Sequence, residues 1–226
     1  CHAMILPNFL VIGAQKAGTT ALTRFLRQHP DVCFSRPKET WFFDKRYNRG
    51  LEWFASHFEH YNGEQAIGEG TARLLQCEAA PERIANDLEN PRLICILRDP
   101  VDRAFSQYHF YIQTGKADPD KSFSEVIRDE ESAFGQDIIR QGRYIDQLER
   151  YEDVFGRNKL TVVLHRDLRE TPVELIKSLY RALEVDSQFQ PNAEQEHSVT
   201  SYPRSRAGYA MIRSAWHLVR DHVESR

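Results

Sequence analysis

The stretch from Phe9 to Leu22 constrains the fold most, because its apolar, β-like run stops at a glycine and a helical pattern follows. Such a change predicts a strand, a tight loop and the start of a helix. Gly13 and Gly18 let the backbone approach a ligand closely, and the free N–H groups and positive dipole end of the helix attract an anion. Lys16 adds a positive charge, and two threonines after Gly18 add hydroxyl donors. We therefore predict an anion-binding loop here.

This loop differs from the nucleotide-triphosphate P-loop in the position of its lysine. A Walker A loop carries lysine directly after its second glycine, followed by a Ser or Thr that holds magnesium. Here Thr19 occupies the lysine position, and the lysine lies inside the loop at Lys16. The pattern therefore disfavours a metal-bridged triphosphate and favours a smaller phosphoanhydride-like group. An ordinary strand-to-helix turn with a surface lysine is the alternative, because short glycine motifs often match by accident.

Length and composition narrow the class of protein. A chain of 226 residues with 41% hydrophobic content predicts a single domain with a sizeable core, spanning 4–226. We interpret residues 1–3, before Met4, as a possible expression remnant. The net charge of −3 argues against a dedicated nucleic-acid binder, which usually has a basic balance.

The cysteines and apolar runs bear on compartment and metal binding. The four cysteines form no CxxC pair, so we expect reduced thiols and no metal site. No apolar run approaches the ~18–20 residues of a membrane span. We therefore expect no membrane span, and a cytoplasmic protein.

Strand and helix patterns alternate along the chain. The predicted strands are 9–12, Val32 to Ser35, Ala66 to Thr71, Arg92 to Leu97 and Leu160 to Leu164. The predicted helices are 21–29, Leu51 to Phe58, Ala79 to Leu88, Val101 to Ile112, Phe123 to Glu131, Tyr144 to Phe155, Pro172 to Leu183, and a last one with Ile212, Trp216, Val219 and Val223 on one face. The pattern predicts an α/β domain with a central, mainly parallel sheet flanked by helices. Two of the strands, Arg92 to Leu97 and Leu160 to Leu164, are continuous enough in apolar residues to be buried on both faces.

A second anion-suited position follows the strand from Arg92 to Leu97. Arg98 comes directly after that strand, so it should reach the same carboxyl edge of the sheet as the first loop. A guanidinium can bind a phosphate in bidentate fashion, and the Ser106 hydroxyl, about two helical turns on, could donate to the same group. A salt bridge from Arg98 to Asp99 or Asp102 at the helix start is the alternative.

Three stretches together resemble one family. They are 13–20, with the sequence GAQKAGTT; 37–43, with PKETWFF; and 96–106, with ILRDPVDRAFS. In this order and spacing they resemble the sulfotransferases that use 3′-phosphoadenosine 5′-phosphosulfate (PAPS), and most of all the bacterial and heparan-type enzymes. The resemblance implies a P-loop-like, three-layer α/β fold and transfer of a sulfuryl group from PAPS to an acceptor hydroxyl, with release of adenosine 3′,5′-bisphosphate. It implies no metal.

The resemblance also implies roles for individual residues. The group implied to bind the 5′-phosphosulfate consists of Lys16, Ala17, Gly18, Thr19 and Thr20. Arg98 and Ser106 match the pair that binds the 3′-phosphate. Glu39 matches the general base of the heparan-type branch, and Lys38 could help polarise the sulfuryl group. The weaker matches are Tyr144, on a helix that lines the cleft, Thr71, in a substrate-side loop, and the late basic residues Arg204 and Arg206.

Several interpretations stay open at this point. His109 is a candidate second acid or base, with a structural or exposed histidine as the alternative. Lys38 and Glu39 could be a solvated pair, and the aromatic residues 41–43 could belong only to the core. The heparan-type enzymes carry lysine where Gly70 stands, which weakens a heparan acceptor. The rival functions are a P-loop kinase and a non-catalytic binding module for sulfated glycans. The acceptor could be a carbohydrate, a lipid, a polyketide or a small alcohol.

Overall fold

The computed structural model describes residues 4–192, which form two compact units. The first unit contains residues 4–98 and 144–192, and the second contains residues 99–143. The prediction of a single domain over 4–226 stays a prediction. The predicted last helix, most of the predicted loop from Val185 to Ser205, and Arg204 and Arg206 lie outside the described residues.

The first unit is built on a five-stranded sheet in which every pair of neighbours is parallel. Its strands are β1 (Phe9–Gly13), β2 (Val32–Phe34), β3 (Ala66–Glu69), β4 (Arg92–Leu97) and β5 (Leu160–Leu164). They lie in the order β2-β3-β1-β4-β5. All five residues of the central β1 are buried, as its unbroken apolar run requires. Because the strands are parallel, the segments that follow them all leave from one edge of the sheet.

Helices cover the sheet of the first unit, as the alternating pattern predicted. They are α1 (Thr19–Leu26), α2 (Gly50–Ala55), α3 (Ala80–Asp87), α7 (Tyr144–Phe155), α8 (His165–Glu170) and α9 (Pro172–Ala182). Helix α1 packs against α9, and α3 packs against α7. The short helix α8 was not predicted, because its six residues are too few to show a period. The predicted P-loop-like α/β fold is confirmed.

The prediction that β5 is buried on both faces is wrong. In the described part of the chain β5 is the last strand of the sheet, with β4 as its one neighbour. Val162 and Leu164 are 44% and 43% exposed, and only Val163 of the strand is buried. Val162 and Leu164 are two residues apart, so their side chains point to the same face of the sheet. An apolar run predicts a strand, but it does not show whether a helix covers that face.

The second unit is a small group of three helices, namely α4 (Pro100–Gln113), α5 (Phe123–Arg128) and α6 (Ala133–Gly142). They share an apolar core that includes Tyr108 and Ile138. The helix predicted from Phe123 to Glu131 ends at Arg128, three residues before the predicted end. Helix α6 was not predicted. Ser132 starts α6 by accepting a hydrogen bond from the Gly135 N–H at 3.1 Å. Two glycines within α6 had weakened its helical pattern.

The described residues 4–192 hold no helix that is long and apolar enough to cross a membrane. In the same range Cys33, Cys77 and Cys95 are free thiols, and no group of three or more His, Cys, Asp or Glu side chains is arranged to hold a metal ion.

Candidate active site

The loop between β1 and α1 has the geometry that its sequence predicted. Gly18 precedes α1 with a φ of 101°, and as the N-cap residue it gives no side-chain hydrogen bond to the start of this helix. A β-carbon at Gly18 would lie 3.0 Å from His165 Cδ2, so both the backbone angle and the space require glycine. Ala17 is buried in the loop, and the first turn holds no acidic residue. The helix start is thus suited to an anion.

Lys16 and Arg98 bring two positive charges to this edge of the sheet. The Arg98 Nη1 atom donates to the Lys16 carbonyl at 3.5 Å. Burial lowers the pKa of Lys16, and the charge of Arg98 lowers it further. Lys16 also has a left-handed φ of 66°, a conformation that non-glycine residues adopt rarely and often at functional sites. An anion bound beside these cations would offset their repulsion.

Lys38 connects the anion loop with the predicted general base. Its Nζ donates to Glu39 Oε1 at 3.1 Å and to Thr19 Oγ1 at 3.4 Å. Glu39 Oε1 also accepts from the Ala72 N–H at 3.5 Å. The side chains of Lys38 and Glu39 are 17% and 30% exposed, so both reach solvent while they hold each other. The structure thus places the segment at 37–43 beside the anion loop, although Thr19 and Lys38 are 19 residues apart in the sequence.

The aromatic residues after Glu39 anchor this segment. Phe42 and Phe43 are each 1% exposed, and the ring of Phe42 stacks on Phe54 with centroids 4.4 Å apart. The core interpretation is therefore right for these two phenylalanines. Trp41 is half-buried, and Lys45 Nζ lies 5.2 Å from the centroid of its ring. The buried rings fix the backbone that presents the carboxylate.

Tyr144 contacts the backbone at the second anion-suited position. Its hydroxyl donates to the Arg98 carbonyl at 2.9 Å, which holds the end of β4 in place. Thr20 is exposed in the first turn of α1. The first unit therefore brings together Lys16, Thr19, Lys38, Glu39, Arg98 and Tyr144. Their roles in binding and catalysis stay predictions.

Two predicted site residues belong to the second unit, where both lie on α4. Ser106 is buried. His109 is half-buried, burial lowers its pKa, and its ring packs edge-to-face on Phe105 with centroids 4.3 Å apart. Asp99 caps α4 by accepting from the Val101 and Asp102 N–H groups at 2.9 and 3.0 Å. A role in acid–base catalysis for His109 stays a prediction.

One residue beside this site was missed by sequence reasoning. Glu69, the last residue of β3, is 1% exposed and accepts hydrogen bonds from Thr40 and Thr71. The available signal was an acidic residue at the end of an apolar strand, directly before a glycine. That signal indicated a position at the edge of the sheet, but it could not show that Thr40 and Thr71 donate hydrogen bonds to Glu69.

With this geometry in place, comparison with known proteins assigns the family. Residues 6–213 match the sulfotransferase domain family. The chain belongs to this family, as its three motifs predicted. Among curated relatives, the membrane-associated sulfotransferase kil1 of Dictyostelium discoideum is 39% identical over 163 residues, which cover 69% of this chain and 33% of kil1. The bifunctional heparan sulfate N-deacetylase/N-sulfotransferase 3 of Mus musculus is 32% identical over 201 residues, 81% of this chain and 23% of that protein. The chain thus spans a third or less of the length of these two relatives.

Solved structures agree with this assignment. A sulfotransferase from Alicyclobacillus acidocaldarius superposes with a TM-score of 0.76 at 28% identity, covering 95% of this chain and 96% of that one. The mouse sulfotransferase SULT7A1, solved in complex with PAP, gives a TM-score of 0.55 at 16% identity, covering 93% of this chain and 63% of that one. The second likeness shows the fold alone.

Proposed function

We propose that this sulfotransferase-family chain transfers the sulfuryl group of PAPS to a hydroxyl of an acceptor, with an amine as the alternative, and releases adenosine 3′,5′-bisphosphate. One observation carries the proposal. Lys38 Nζ contacts both Glu39 Oε1 and Thr19 Oγ1, so a carboxylate able to take a proton is held at the anion loop. The family match and the PAP complex of a protein with the same fold support PAPS as the donor.

The residues at this edge suit a donor with two anionic ends. The start of α1, with glycine as its N-cap residue, and the charge of Lys16 suit the 5′-phosphosulfate, and Arg98, held through its carbonyl by Tyr144, suits the 3′-phosphate. Lys16 and Arg98 supply positive charge, and the helix start supplies N–H donors. All are partly buried, so they attract an anion more strongly than they would in water. A role for Ser106 in binding the 3′-phosphate stays a prediction from the sequence.

The chemistry assigned to the chain is an in-line transfer. Glu39 takes the proton of the acceptor hydroxyl while the hydroxyl oxygen forms its bond to sulfur. The bond from sulfur to the bridging phosphate oxygen breaks, and the electron pair leaves on that oxygen. Lys38 and Lys16 offset the charge that develops there. The contact of Lys38 with Glu39 also keeps the carboxylate in the loop before the acceptor arrives.

The acceptor and the location of the protein are further proposals. The name of the murine relative makes a heparan-type glycan the first acceptor to test, while Gly70 argues for a wider panel. The proposed panel of acceptors consists of N-desulfated heparan oligosaccharide, a sterol and p-nitrophenol. Cytoplasmic localisation and the absence of a metal stay predictions from the sequence.

The test is the substitution Glu39→Gln, which keeps the size of the side chain and removes its ability to take a proton. We expect transfer from PAPS to the best acceptor of the panel to fall by ~100-fold or more, a typical contribution of a general base. Calorimetric affinity for adenosine 3′,5′-bisphosphate should stay within about 2-fold, because Glu39 is not one of the proposed donor ligands.

Glu89→Gln is the matched control, since Glu89 is exposed and lies before β4, at the opposite edge of the sheet. Its turnover should equal that of the unaltered chain. Full turnover by Glu39→Gln would remove the base assignment.

A further inference from the structure

We propose that Glu69 is a positioning residue that holds Lys38 and Glu39 in their working geometry. Its carboxylate ends β3 and binds the backbone of the segment that carries these two side chains. The inference rests on the proposed function and extends it to a residue whose side chain is buried behind these two.

Residues 69–72 lie alongside residues 38–41 and hold them by a series of hydrogen bonds. The Gly70 N–H donates to the Lys38 carbonyl at 3.3 Å. The Thr40 N–H donates to Glu69 Oε1 at 3.0 Å, and the Thr40 hydroxyl donates to the same atom at 3.1 Å. Thr71 donates to Glu69 twice, from its N–H to Oε2 at 3.1 Å and from its hydroxyl to Oε1 at 2.5 Å. Both neighbours of Glu39 in the chain are therefore fixed to the end of β3.

The same network extends to Trp41. The Trp41 N–H donates to Thr71 Oγ1 at 3.1 Å, and the Trp41 carbonyl accepts from the N–H groups of Lys45 and Arg46 at 3.0 Å each. Trp41 has a left-handed φ of 60°, which a bulky residue adopts only where its surroundings enforce it. Glu69 and Thr71 enforce it from one side, and the turn to Arg46 does so from the other. The chain therefore bends sharply just after Glu39.

A buried carboxylate is a costly way to build a core. Burial raises the pKa of Glu69, although hydrogen bonds from Thr71 and Thr40 act in the opposite direction. An apolar residue could fill this space at a lower free-energy cost of burial, but it could not accept four hydrogen bonds from two different segments. The carboxylate thus serves to fix geometry, and the geometry it fixes is that of Glu39.

The decisive experiment compares Thr71→Val with Thr71→Ser. Valine keeps the shape and removes the hydroxyl that joins Glu69 to the Trp41 N–H, while serine keeps the hydroxyl. We expect Thr71→Val to lower kcat by roughly 3- to 10-fold, the loss of about one hydrogen bond. Thr71→Ser should keep kcat within about 2-fold. Affinity for adenosine 3′,5′-bisphosphate should be unchanged in both, because donor binding uses other residues.

Glu69→Gln gives the larger effect. It places an amide donor among groups that all donate, so we expect the segment to shift and kcat to fall by ~10- to 100-fold, as displacements near 1 Å do. Ile176→Ala, which opens a cavity in the buried face of α9, is the control for lost stability. At a temperature where both variants are folded, Ile176→Ala should retain the kcat of the unaltered chain.

The outcomes separate the two proposals. If the unaltered chain transfers no sulfuryl group to any acceptor of the panel, the proposed function fails. If it does so and Thr71→Val and folded Glu69→Gln match its kcat, only the positioning role fails. An equal fall of kcat in Ile176→Ala would also overturn it, since stability alone would then explain the loss. Where Glu69→Gln does not fold, the comparison of Thr71→Val with Thr71→Ser decides.

Discussion

The substitution Lys16→Met tests whether the first loop is an anion site, because it should have opposite effects on the free and the bound protein. Methionine keeps the length of the side chain and meets the same backbone restriction at the left-handed φ of 66°. The main change is therefore loss of one positive charge. In the free protein that charge is partly desolvated and repelled by Arg98.

The expected size of the effect follows from this environment. A charge-assisted hydrogen bond contributes about 1.5–3 kcal/mol, so its loss should weaken the binding of adenosine 3′,5′-bisphosphate by ~10- to 150-fold. The free energy of unfolding of the free protein should stay the same or rise, since removing Lys16 removes a charge that burial disfavours. A lysine that only stabilises the loop would give the reverse pattern.

The assay combines titration calorimetry with thermal unfolding of the free chain. Lys121→Met is the matched control, because Lys121 lies in the second unit, its side chain is 53% exposed, and its partner is Asp129 at 3.4 Å. That control should change neither quantity by a measurable amount. Unchanged affinity of Lys16→Met for adenosine 3′,5′-bisphosphate would refute the anion-site assignment, whatever happens to the free energy of unfolding.

Three further predictions follow from the same geometry. Arg98→Ala should weaken calorimetric binding of adenosine 3′,5′-bisphosphate by ~10-fold or more, and equal affinity would count against the 3′-phosphate role. Affinity for this ligand should fall as the pH rises toward the ordinary lysine pKa of about 10.4, because the pKa of Lys16 is lowered in the free protein and a bound anion raises it, so that binding takes up protons; a flat profile would contradict this. Phe42→Ala should lower the free energy of unfolding by ~3–5 kcal/mol in urea titrations, since it removes a ring stacked on Phe54, and a loss near zero would show that the ring is not a core anchor.

Local patterns predicted much of the fold and part of the site. The change from strand to helix at Gly13 to Thr19 is a property of adjacent residues, so the sequence alone could reveal it. The apolar residues at 92–97 predicted the bounds of β4 correctly, and Arg98 could then be placed directly after that strand. In these cases the decisive contacts are made within a short stretch of chain.

The features that sequence reasoning missed depend on contacts between distant segments. Glu69 meets Thr40 across an interval of 29 residues, and nothing in either local sequence indicates the pairing. The exposure of Val162 and Leu164 depends on whether another element covers their face of the sheet, which the residues of β5 do not encode. Helix α6 forms in spite of its glycines, because Ile138 packs into the core of the second unit.

The most direct test of the central claim is to measure which donor supplies the transferred group. The unaltered chain is incubated with the acceptor panel and either PAPS carrying radioactive sulfur or magnesium and ATP carrying a radioactive terminal phosphate. We predict that label reaches an acceptor from PAPS and not from ATP, because Thr19 stands where a triphosphate loop needs lysine. Label arriving only from ATP, or tight glycan binding with no transfer from either donor, would contradict the assignment of this chain as a PAPS-dependent sulfotransferase.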